Sequence, residues 1–155
     1  MLRARRGGRA RRRDSRGGTR CDRAPRRLRG GCGVKYLLLL NNDVRDIESW
    51  QKLSDDGKKA LRTNEIPKWN ELFGWIAEQG LEVEGLELAD PADARVIRIR
   101  DGEAIVSDGP FAETKELLGG YFLAECKDLD QAIELAERVP VAAKGSVEIR
   151  PLAGQ

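Results

Sequence analysis

Histidine is absent from the 155 residues of this chain. That absence removes Ser-His-Asp and Cys-His nucleophile systems and any imidazole-ligated metal. Cysteine is scarce: Cys21 and Cys32 lie near the N-terminus, and Cys126 stands alone in the remainder. One thiol builds no disulfide framework, and no paired CxxC exists to hold zinc. A reducing, cytoplasmic setting is expected. Cys126, in a predicted strand, reads as a small buried hydrophobe. No apolar stretch is long enough for a secretory signal or a membrane span. Gly102, Gly109, Gly119 and Gly120 form neither a GxGxxG nor a P-loop. Aromatics do not interleave with basic residues, which argues against a platform for single-stranded nucleic acid. No cofactor and no metal are expected.

What is present is unevenly charged. Residues 1–33 hold 13 Arg against Asp14 and Asp22, a net of +11, whereas residues 34–155 hold 15 Lys plus Arg against 24 Asp plus Glu, a net of −9. With Leu2 and Leu28 as its large apolar residues, the first block cannot bury enough surface to offset ordering, which predicts a disordered Arg/Gly-rich arm. Such an arm suits nucleic acid, an anionic surface or a transit peptide. The favoured reading is plainer: the arm is an artefact of start-site choice. The domain opens at Val34-Lys35-Tyr36, and a valine codon can initiate in bacteria. Nucleic-acid binding is expected only if the arm is made, since the −9 domain repels phosphate.

Residues 34–155 read as one domain. Tyr36–Leu40 is a continuous apolar run stopped by Asn41-Asn42-Asp43, which predicts a strand near the sheet centre, buried on both faces. Ser54-Asp55-Asp56 predicts a helix start, with that helix ending near Asn64. A second helix is predicted beyond it, with Pro67 in its first turn and Gly80 as its stop. Trp69, Leu72, Phe73, Ile76 and Ala77 give it one apolar stripe. Residues 81–88 alternate as a strand whose phase slips at Gly85, predicting a bulge that re-aims Glu84. Val96–Arg100 and Glu103–Ser107 flank Asp101-Gly102, a two-residue hairpin pair. That register sets Ile97 opposite Val106, Ile99 opposite Ala104 and Arg100 opposite Glu103. Tyr121–Cys126 follows as a strand. Asp128 then caps a helix with the stripe Leu129, Ala132, Ile133, Ala136 and Val139, a Glu134–Arg138 pair and a stop at Pro140. Ser146–Ile149 is the last strand. This order predicts an α+β domain with helices on one face of an antiparallel sheet. The bare face is expected to be covered by a second copy, making a homodimer.

Asp108-Gly109-Pro110-Phe111-Ala112-Glu113-Thr114-Lys115-Glu116, closed by Gly119-Gly120, is the densest motif. It resembles the DGPF motif of the YCII-related family, over most of residues 34–152 and most strongly over 95–126. The resemblance implies a ferredoxin-like, dimeric α/β-barrel arrangement. It also implies a bacterial setting in which relatives are often encoded near extracytoplasmic-function sigma factors. In the wider family a His–Asp pair has been suspected of acid–base work; a chain without His cannot supply it.

Two functional readings follow. In the first, a pocket between sheet and helices near the motif binds a small polar or anionic molecule through Asp108, Lys115 and Glu113, with Glu116 at the cleft mouth. Glu84, Tyr36 and Tyr121 are further polar groups expected to face it. In the second, the protein is a non-catalytic interaction or regulatory protein. A structural account of the motif competes with the first: Pro110 sets a turn, Phe111 plugs the core, and Asp108 caps a helical turn over Ala112–Glu116.

Overall fold

The computed structural model describes residues 33–109 and 115–154. Expectations placed on the arm, Pro110, Phe111, Glu113 and the turn opening at Ala112 lie outside the described residues.

Four strands form one antiparallel sheet: β1 (Val34–Asp43), β2 (Glu82–Glu87), β5 (Glu116–Cys126) and β6 (Ser146–Pro151), in the order β2-β5-β1-β6. Two more, β3 (Arg95–Arg100) and β4 (Glu103–Asp108), form a separate two-stranded sheet among the described residues. With that hairpin set aside as an insertion, the sheet has the expected ferredoxin-like strand order. Three α-helices among the described residues complete it: α1 (Val44–Gln51), α2 (Asp55–Gln79) and α3 (Leu129–Arg138).

The central strand alternates. Tyr36, Leu38 and Leu40 are buried, while Leu37 and Leu39 between them are only partly covered. Register carries this division across the sheet: Leu38 faces Phe122 on one side and Ile149 on the other, and Tyr36 faces Ala124. Leu72 and Ile76 of α2, and Ala132, Leu135 and Ala136 of α3, join these residues in one core. Both helices therefore lie on the Leu38 face. The opposite face carries Leu37, Leu39, Leu118, Tyr121, Leu123 and, on β2, Leu86. An unbroken apolar run misled the reading of β1 as buried on both faces. Among the described residues, helices cover only one of them.

Several local expectations need correction. Residues 55–79 form one helix through Pro67, not two. An interior proline removes a hydrogen bond and costs about 3 kcal/mol or more in isolation, but tertiary contacts hold both halves. Lys144 reaches Glu65 at 2.8 Å before the proline, and Trp69 meets the Phe122 ring edge-on at 6.4 Å after it. Ser54 does cap the start, accepting the Gly57 amide at 3.2 Å, and Gly80 closes the end at φ 64°. The buried stripe is narrower than the predicted one, because Phe73 and Ala77 face out and Trp75 turns inward beneath Arg138. In α3 the buried line is Ala132, Leu135 and Ala136, continued by Val139; Leu129 and Ile133 are exposed. The Glu134–Arg138 pair stands at 3.0 Å, and Asp128 caps by accepting the Gln131 amide at 2.9 Å.

β2 runs in unbroken register against β5, so Gly85 is not a bulge. A Cβ there would strike the Phe122 ring and the Tyr121 carbonyl oxygen. Gly85 is a cavity for an aromatic ring. The irregularity lies one strand away, where Leu40 pairs Gly120 and Asn41 pairs Leu118, leaving Gly119 extra. Gly119-Gly120 accordingly sit inside β5, which begins at Glu116, so that residue is strand and does not close a helical turn. The hairpin register is the predicted one. Its two turn residues, Asp101 (φ 52°) and Gly102 (φ 83°), are both left-handed, as a type I′ turn requires.

Candidate functional site

Structure separates the residues that sequence grouped. Tyr36 is 6% exposed, its ring in the helix-covered core. Burial of alternate residues along β1 puts it there, and it does not face the open side. Tyr121 and Glu84 do lie on the open face, since Tyr121 pairs Leu39 and Leu86, and Glu84 pairs Leu123. Glu84 is an exposed group on an edge strand. Asp108, at the end of β4, bonds Arg95 across the hairpin at 3.1 Å. Lys115 is exposed at the entry to β5, and its carbonyl oxygen accepts the Val44 amide at 3.0 Å. Asp108 and Lys115 thus bracket residues 110–114 from two different sheets, and Glu113 lies outside the described residues.

A polar group does converge at the Lys115 end of the open face. Register sets Asp43 opposite Glu116 and Asn41 opposite Ser146. The Ser146 hydroxyl donates to the Glu116 carboxylate, reaching across β1, and Asn41 Nδ2 donates to Ser146 Oγ at 3.5 Å. The bulge at Gly119 resets the phase of β5, so that beyond it Glu116 and Leu118 share the open face with Tyr121. Glu116 was expected at a cleft mouth, but Asn41 and Ser146 were missed. Asn41 was read as a strand stop, and nothing local in Ser146 marks it. Only pairing through β1 brings the three together.

Asp43 does different work. Its carboxylate takes the Arg45 guanidinium at 2.7 Å and the Arg45 amide at 2.8 Å, capping α1. Those bonds, the side-chain one first, hold its pKa down to about 2. A carboxyl whose folded pKa lies below the usual value near 4 contributes stability above that value. The contribution is lost as pH falls from about 4 to about 2. A carbon-13 NMR titration should find the Asp43 midpoint near 2, and the Arg45→Ala variant should bring it back toward about 4. An unmoved midpoint would show that Arg45 is not its partner.

Chemically, the group offers acceptors. Glu116 retains lone pairs beyond those given to Ser146, the Ser146 oxygen can accept, and the Lys115 ammonium adjoins them in sequence. Cys126 does not contribute. Burial pushes its thiol pKa up, as the Asp128 charge also does, so it stays protonated and packed in the core. No helix among the described residues is long and apolar enough to cross a membrane.

An uncharacterised protein of Rhizobium meliloti (strain 1021) is 35% identical over 120 residues, which cover 76% of this chain and 91% of that protein. A family model of the YCII-related domain matches residues 44–153, from the start of α1 to just beyond β6. The hairpin and the Glu116–Ser146 contact fall within that match, while β1, against which β5 bulges at Gly119, precedes it, and the chain belongs to the YCII-related domain family.

Proposed function

We propose that this YCII-related protein binds a small polar or anionic molecule at the Lys115 end of its open sheet face, and that a second copy closes that face. One observation carries the reading: Glu116, Ser146 and Asn41, from three adjacent strands, are bonded together on a surface otherwise lined by Leu37, Leu39, Leu118, Tyr121 and Leu123. Ligand sites typically combine an apolar wall with a few convergent polar groups. Lys115 is the cation for an anionic substituent, while Glu116 and Ser146 would take hydroxyl or amide hydrogens. With Leu86 and Leu118 exposed, the face has the apolar content that a two-fold partner would cover.

A panel of acidic and hydroxylated metabolites should raise the unfolding temperature of the unaltered protein for at least one member. Lys115→Ala should unfold near the unaltered temperature, since that side chain is exposed, and Ser146→Ala somewhat lower for its lost hydrogen bonds, yet both should lose that rise. Complete absence of any shift would favour the competing reading, a non-catalytic interaction protein. That reading draws on the apolar face of the hairpin.

A further inference from the structure

The β3–β4 hairpin presents an unusual surface. Ile97, Ile99 and Val106 share one side with Ala104 and are 65%, 67% and 60% exposed. A two-stranded ribbon is marginal on its own in water and needs cover. β3 reads Arg-Val-Ile-Arg-Ile-Arg, with three bases and no acid. At the edge of the main sheet, β2 reads Glu-Val-Glu-Gly-Leu-Glu, with three acids and no base.

Laid antiparallel, the two strands match at every charged position. Glu82 falls opposite Arg100, Glu84 opposite Arg98, and Glu87 opposite Arg95. Backbone parity agrees independently. The Leu88 amide bonds Gly119, so the even-numbered residues of β2 point their amides and carbonyls toward β5, leaving those of Val83, Gly85 and Glu87 facing outward. In the hairpin the Gly109 amide bonds Ala94, so the even-numbered residues of β3 point toward β4, leaving Arg95, Ile97 and Ile99 facing outward. The two sets of outward groups are the ones this register joins. Side chains agree as well: Ile97 would lie beside Gly85, which has none, and Ile99 beside Val83. Both isoleucines would then extend the helix-covered face of the sheet, where Phe73 stands exposed after stacking on Trp69.

We propose that β3 of one copy adds to the β2 edge of a second copy, and reciprocally, joining the two sheets through the hairpins. The same chain does not make this pairing. Residues 88–94 lead β3 away from β2, tied by Leu88 to Gly119 and by Asp90 to Gln51 at 2.9 Å. Arg95 already holds Asp108, and Glu87 already holds Arg62, in exposed pairs that contribute little and can be shared. The pairing is independent of ligand binding and stands if the open face binds nothing.

Charge reversal tests it by mixing full-length chains. In sedimentation velocity the unaltered protein should dimerise, and Glu84→Arg alone or Arg98→Glu alone should dimerise roughly tenfold more weakly or worse, each placing like charges opposite twice per dimer. Circular dichroism should show both folded. Mixed in equal amounts they should recover the unaltered affinity, because each contact between positions 84 and 98 then joins an arginine to a glutamate. Should Arg98→Glu not fold, Glu82→Arg and Arg100→Glu make the same test. A monomeric unaltered protein, or single reversals without effect, would overturn the proposal and leave β2 a solvated edge. Recovery only when both changes lie in one chain would overturn it in favour of pairing within the chain.

Discussion

Leu38→Ala should lower the free energy of unfolding by about 2–5 kcal/mol, the usual cost of emptying a large buried aliphatic site. Leu38 is 0% exposed at the middle of the central strand, flanked by Phe122 and Ile149 and covered by the helices. Leu37→Ala, one residue away, should cost far less in the free chain, because its side chain points to the open face. Urea unfolding at low protein concentration measures both. Equal losses would mean that both faces of β1 are buried within one chain, contrary to a core that lies on the helix side alone. A loss at Leu37 that grows with protein concentration would instead locate that residue in a contact between copies.

Gly85→Ala should also be strongly destabilising, by about 1–3 kcal/mol, although it adds a single methyl group. The new carbon would strike the Phe122 ring and the Tyr121 carbonyl oxygen, and the second of these is backbone of the neighbouring strand. Relief requires β2 to move off β5. Amides that β2 shares with β5 should therefore exchange faster than those between β1 and β5. Gly74→Ala is the matched control: it lies in α2 with nothing within 4 Å of the added carbon. There the substitution should stabilise by up to about 1 kcal/mol, because alanine favours a helix interior. Similar effects at the two glycines would show that Gly85 serves no packing purpose.

Much of the fold was legible in short stretches. The Asp101-Gly102 turn, the Ser54 and Asp128 caps and the Gly80 stop were readable because each is a contact between residues a few positions apart. The register of β3 with β4 followed from its turn for the same reason. The sequence gives no helix at α1, because Asp43, its cap, reads there only as the end of a strand. The break at Pro67 was overstated because a proline's cost is local, whereas the contacts that carry α2 through it, Lys144 to Glu65 and Phe122 to Trp69, come from residues far away in the chain.

The candidate site was legible only in part. Glu116 and Lys115 stood out because they belong to a dense polar motif. Tyr36 lies on the helix-covered face, apart from Glu84 and Tyr121, because a residue's sheet face depends on which side the helices pack, and no local pattern states that. Asn41 and Ser146 are 105 positions apart and meet only through strand pairing.

By itself, the sequence determined the chemistry that is excluded, the α+β class, the caps and the hairpin turn, all properties of composition or of neighbours along the chain. Tertiary structure alone decided which face of β1 is covered, where the bulge falls, and which polar groups share an end of the sheet. Those depend on the register between strands far apart in sequence, and a shift of one residue there turns every side chain to the opposite face.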